Sequence, residues 1–128
     1  MRKLLLSATS VAALAIPAHA EVSDGKVKIG ILNDQSGVYA DFGGKYSYEA
    51  AKMAVEDFGG KVLDAPVEVV TADHQNKADI ASNIARQWYD TDQVDTIMEL
   101  TSSSVGLAVQ ALSLEKKKIT INTGAATT

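Results

Sequence analysis

Val27-Lys28-Ile29-Gly30-Ile31-Leu32, closed by Asn33-Asp34, is the stretch on which the fold turns. It is β-rich and apolar, and the Asn-Asp pair behind it is a turn signal, so it reads as a strand. Downstream, Tyr46, Ala50, Met53, Ala54 and Phe58 recur at helical spacing until Gly59-Gly60 stops the pattern. Pro66 to Thr71 reads as the second strand. Asn76 is placed to cap the next helix, with Asp79 in its first turn and Ile80, Ile84 and Trp88 on its apolar face. A short third strand, Thr96-Ile97-Met98, leads to a helix marked by Val105, Ala108, Val109 and Leu112, and Ile119-Thr120-Ile121 is a fourth strand. Strands alternating with helices of this length form βαβ units. The expected class is α/β: a three-layer sandwich with a mostly parallel sheet and helices on both faces. Tyr46, Met53, Trp88 and Met98 are assigned to the core.

Outside this stretch, the N-terminus reads as an address. Arg2 and Lys3 form a positive start, Leu4 to Ile16 an apolar stretch, and Ala18-His19-Ala20 a small-residue cleavage site before Glu21. The apolar stretch is shorter than the ~20 residues a spanning helix needs. Residues 1–20 are therefore expected to be a secretory signal cleaved after Ala20, and 21–128 the exported part. With 128 residues the chain is one domain or less. It contains no cysteine, which excludes disulfides, thiolate metal sites and cysteine nucleophiles. From Glu21 onward 10 basic residues face 16 acidic ones, and Arg86 is the sole arginine. Such a chain has no footprint for phosphates, so nucleic acid is not a partner. The fourth strand has no helix after it to cover it, which reads as the N-terminal part of a larger lobe. Residues 21–128 expressed alone are expected to show no cooperative thermal transition, because the sheet would end exposed. A sharp calorimetric melt would contradict this.

In open α/β sheets ligands bind at the carboxyl ends of the strands. The loops there are Asn33 to Gly44, Ala72 to Asn76, Leu100 to Ser103 and Asn122 to Thr128. Ser102 and Ser103 stand where a strand ends and a helix begins, so unpaired helix amides and two hydroxyls converge on an anion-binding position; the plainer alternative is an N-cap. Enzyme motifs do not fit. Gly44-Lys45 lacks the upstream glycine of a P-loop, and Ser104 is preceded by Ser102 rather than by the glycine of a nucleophile elbow. His74 beside Asp73 reads as a solvated turn, and one histidine past the signal gives no zinc site. Lys116-Lys117-Lys118 reads as a solvated helix end.

Taken together, Lys28-Ile29-Gly30-Ile31-Leu32, Ser36-Gly37, Phe42-Gly43, Thr101-Ser102-Ser103-Ser104 and Thr123-Gly124-Ala125-Ala126 resemble a known family. It is the branched-chain amino-acid-binding-like (leucine/isoleucine/valine) group of type I periplasmic binding proteins, which serve ABC importers. The resemblance runs from about Val27 to Thr128. It implies a two-lobed fold, of which residues 21–128 would be the N-terminal part of lobe 1. It also implies a monomer in the periplasm that is not an enzyme, needs no cofactor or metal, and delivers a small-molecule ligand to an ABC transporter membrane permease. By the same resemblance Ser102, with Ser103 beside it, holds the ligand carboxylate together with amides near Ala125 and Ala126. The Gly124 carbonyl then receives an ammonium, and Phe42 and Tyr39 wall the pocket. One departure stands out: amino-acid binders usually carry a hydroxyl where this chain has Ala126, and Thr127 replaces it only with a one-residue shift. The ligand is thus expected to be a small carboxylate-bearing solute (amino acid, aromatic or aliphatic acid, or short amide), with the alanine favouring one without an α-ammonium. The alternatives are an exported ligand-sensing domain on the same fold and a receiver-like module. The receiver needs an aspartate where Glu99 stands.

Overall fold

A computed structural model describes residues 24–126; the expected signal segment, its expected cleavage after Ala20, and Thr127 lie outside the described residues. Among the described residues there are five strands and three helices. They are β1 (Val27–Asn33), α1 (Gly44–Asp57), β2 (Lys61–Val62), β3 (Ala65–Asp73), α2 (Ala78–Asp90), β4 (Thr96–Glu99), α3 (Ser103–Lys116) and β5 (Ile119–Asn122), alternating except where β2 and β3 follow one another. The sheet order is β2-β3-β1-β4-β5. β1 pairs parallel with both β3 and β4, and β4 parallel with β5, whereas β2 is an antiparallel edge. The expected class holds.

Side chains alternate across a strand, so β1 shows which helix covers which face. Gly30 faces α2: a β-carbon there would lie 2.6 Å from Cε3 of Trp88 and 3.2 Å from Val94. Leu32 points the same way. It joins Ala81, Ala85, Trp88, Tyr89, Ile97, Leu100, Val105, Val109 and Leu112 in one buried core between the sheet and the α2–α3 pair. A polar knot pins this layer: the Tyr89 hydroxyl shares a 2.9 Å hydrogen bond with Ser113, and Ser113 donates to the Val109 carbonyl at 2.8 Å. Ile29 points to the other face, which α1 covers through Ala51 and Val55, leaving a groove of ≈ 340 Å³ beside Phe58 and Met98.

Several expectations change. The large apolar residues of α1 and of its C-cap do not enter the core: Tyr46 is 69% exposed, Met53 64% and the C-cap Phe58 71%. Small Ala51 and the half-buried Val55 turn to the sheet instead, and Met98 is half-buried. Trp88 is buried as expected. Asn76 does not cap α2. It adopts φ 54, and Lys77 occupies the N-cap without a side-chain hydrogen bond. The β2–β3 hairpin has no counterpart in the sequence reading. Leu63 and Asp64 both take positive φ in its two-residue turn, which the strand twist favours although neither is glycine. The lysine run is partly paired: Lys116 meets Asp90 at 2.8 Å and Lys118 meets Asp95 at 3.9 Å. Ile119 and Ile121 of β5 are 65% and 44% exposed.

Candidate functional site

The chain runs from β1 to β3 on one side and then returns to β4 on the other, so the strand order reverses between β1 and β4. The loops leaving these two strands must separate, one entering α1 and the other α3, and the crevice between them is the natural ligand position of such a sheet.

The β1 loop is shaped by Asp34, which is fully buried. Its carboxylate accepts from Gly37 N at 2.7 Å and Tyr39 N at 2.9 Å, wrapping the loop around itself. Glycine is required at 37, since a β-carbon would sit 2.5 Å from that carboxylate. Asn33 donates from Nδ2 to the Gly44 carbonyl and so anchors the start of α1. Tyr39 is 38% exposed at the rim and Phe42 87%. The link from Phe42 to the crevice runs through its neighbour Gly43, whose α-carbon faces Glu99: a β-carbon there would be 2.5 Å from Oε1.

The β4 loop turns sharply, with Glu99 at φ 88 and Leu100 at φ 55. Glu99 then clamps the loop, accepting from the Thr101 hydroxyl and from Thr101 N at 3.1 Å. Ser102 is the N-cap residue of α3 by position, extended at φ −167, yet its hydroxyl caps nothing. It lies 3.2 Å from the Ser104 hydroxyl instead. The first intrahelical bond runs from Gly106 N to the Ser102 carbonyl at 2.7 Å, so the amides of Ser103, Ser104 and Val105 precede it. The Ser102 side chain therefore does not act as an N-cap, and its hydroxyl lies with that of Ser104 at a helix start that no side chain caps. Ser102 is buried and Ser103 half-buried.

The β5 loop packs directly on this one. A β-carbon at Gly124 would lie 3.0 Å from the Thr101 α-carbon, and Thr123 N donates to the Glu99 carbonyl at 3.0 Å. Asn122 organises the loop by accepting from Gly124 N at 3.3 Å and Ala125 N at 2.9 Å. Ala125 lies beside Gly106 in the first turn of α3. The sequence-derived Ser102, Ser103, Gly124 and Ala125 therefore share one edge of the sheet. Ala126 follows on it, exposed; on the β1 loop the Tyr39 amide is tied to Asp34 and Gly43 faces Glu99, while the Phe42 ring is exposed to solvent. The sequence marks Asp34 only as a turn signal and Glu99 only as the place of a receiver's aspartate, and gives Asn122 no role beyond bounding a loop. The signal available was a polar residue at the end of β4 and of β5, and one just past the end of β1.

His74 corrects another expectation. It is fully buried, not a solvated turn: its amide donates to the Asn33 carbonyl at 2.9 Å and its Nδ1 accepts from Asn76 N at 3.0 Å. Burial pushes the imidazole below its ordinary pKa, against the opposing pull of the Asp34 and Asp73 carboxylates. Burial acts to raise Asp73, but donation from Ser36 and from the Gln35 and Gln75 amides outweighs it and holds that carboxyl below its usual value.

A periplasmic binding protein family model matches residues 26–128. The chain belongs to that family. Among solved structures, this family member is similar to a periplasmic binding protein of Burkholderia mallei, 52% identical over 79% of this chain, with a TM-score of 0.77. It is likewise similar to a branched-chain amino acid ABC transporter periplasmic ligand-binding protein of Burkholderia xenovorans (47% identity, 80% of this chain, TM-score 0.77). A leucine binding protein of Thermotoga maritima is 26% identical over 79% of the chain, with a TM-score of 0.71. The chain spans 27%, 27% and 28% of the length of these structures. No curated protein matches it. Among the described residues no group of three or more histidine, cysteine or carboxylate side chains is placed to hold a metal ion.

Proposed function

We propose that this periplasmic binding protein sequence is the first part of a two-lobed, monomeric solute-binding protein, exported by cleavage after Ala20. In this reading it captures a small carboxylate-bearing solute for delivery to the membrane permease of an ABC importer. The observation that carries the reading is the start of α3 at the strand-order reversal, uncapped by any side chain, where the Ser102 and Ser104 hydroxyls meet and the Gly124–Ala126 loop lies beside them. An anionic group set there gains the first-turn amides, the positive end of the helix and one or two hydroxyls, with no guanidinium needed. Tyr39 and Phe42, exposed on the opposing loop, would supply the apolar walls. Closure of a second lobe over the crevice would then be a population shift driven by ligand contacts with both lobes. Likeness to the Burkholderia xenovorans protein makes amino acids the first solutes to try.

Ser102→Ala in the complete protein is expected to weaken carboxylate binding about 10- to 100-fold, the worth of a hydrogen bond to a charged group. Thermal stability should barely change, because the hydroxyl caps nothing. Isothermal titration across amino acids and simple carboxylates checks this. Unchanged affinity would remove Ser102 from the site.

A further inference from the structure

We infer that Glu99 is the specificity-determining residue of the crevice, accepting the ammonium of a zwitterionic solute whose carboxylate rests on the start of α3. This rests on the carboxylate-capture reading above. Glu99 ends β4 at the strand-order reversal, and its side chain reaches between the two loops that flank the crevice, with Gly43 on one side and Thr101 on the other. It is half-buried, and among the described residues no lysine, arginine or histidine pairs with it. A carboxylate removed from water without a counter-cation is costly, and a bound cationic group relieves that cost. Capacity is available. The carboxylate offers about four lone-pair positions, and the Thr101 amide and hydroxyl occupy two of them.

The charge pattern selects the ligand chemistry. Thr101 alone separates the carboxylate of Glu99 from Ser102, so a negative acceptor and a positive helix end stand side by side. An α-amino acid carries the complementary pair on one carbon. A plain carboxylate fits the helix end equally well but leaves Glu99 uncompensated and is repelled by it. Ala126, which taken alone points to a ligand without an ammonium, is thus offset by an acceptor on the neighbouring loop. Gly43 keeps room for it, since any side chain there would meet Oε1.

The test is calorimetric titration of the complete protein with paired probes: alanine, leucine and phenylalanine, each against its deaminated counterpart, propanoate, 4-methylpentanoate or 3-phenylpropanoate. Wild type should bind at least one amino acid, and at least tenfold more tightly than its partner acid. Glu99→Gln keeps the shape and an acceptor for Thr101 but removes the charge; it should lose that preference, weakening the amino acid at least tenfold while the acid binds as well or better. Glu99→Asp, which retains the charge, should keep part of the preference and shows that the site still forms. Equal weakening of both partners by Glu99→Gln would make Glu99 a loop clamp and overturn the inference. Tighter binding of the deaminated acids to wild type would overturn it too, while leaving carboxylate capture standing. If wild type binds neither member of any pair, the carboxylate reading falls first and Glu99 with it.

Discussion

Gly30→Ala in the complete protein is expected to lower unfolding stability by about 3 kcal/mol, at the upper end of what overpacking a well-filled core costs. The sign is opposite to that of an open strand position, where alanine gains ~0.5–1 kcal/mol over glycine by restricting the unfolded chain. Here the added carbon would overlap Cζ3 of Trp88 and stand 2.6 Å from Cε3. The ring cannot swing clear, because it is buried and packed in the cluster that includes Ala85, Val94 and Val109. Either β1 must withdraw from α2, disturbing its pairing with both β3 and β4, or the helix must lift. Urea unfolding gives the midpoint. Shrinking the ring should return part of the loss, so that Gly30→Ala with Trp88→Leu is less damaging than the two single changes predict together. An unchanged midpoint in Gly30→Ala would mean that this layer is looser than its geometry states.

The same contact shows what was legible in the sequence. The strands β1, β3, β4 and β5 each carry a run of β-branched or apolar residues, and all four were placed to within a few residues, with the parallel order following from the helices between them. The faces of the helices were less legible. α1 carries two stripes, a bulky one through Tyr46 and Met53 and a smaller one through Ala51 and Val55, and periodicity alone favours the bulky one. The structure sets the smaller stripe against the sheet. The serine run and the glycine loop were visible because helix starts and glycine turns leave local signatures. Glu99 was not, because its meaning depends on Gly43, a contact between two loops distant in sequence. Asn76 misled for a related reason. A residue fitted to capping is equally fitted to the left-handed turn it adopts before α2.

Acidification should destabilise the protein by an amount that His74 largely controls. The imidazole is fully buried, its Nδ1 accepts a backbone hydrogen bond and its Nε2 has no partner, so the neutral form is the one the fold holds. Burial lowers its pKa below the ordinary 6.5, with the Asp34 and Asp73 carboxylates opposing. Above the ordinary value neither folded nor unfolded histidine is charged, and stability is complete. As pH falls from 6.5 through the lower folded value, the unfolded chain takes up a proton that the native state refuses, and stability drops. Asp73 acts in the same direction further down: its folded pKa is depressed, so its contribution holds above the ordinary 3.8 and is lost as pH falls through the folded value. Denaturant midpoints between about pH 7.5 and 5 isolate the histidine, since the carboxylate stays charged there. His74→Gln should flatten that limb, and a wild-type midpoint constant over the range would refute the buried neutral imidazole. The ligand crevice should feel the change as well. The His74 amide donates to the Asn33 carbonyl, and the next residue is the Asp34 that shapes the Tyr39 loop, so a strain at His74 lies one hydrogen bond from the crevice.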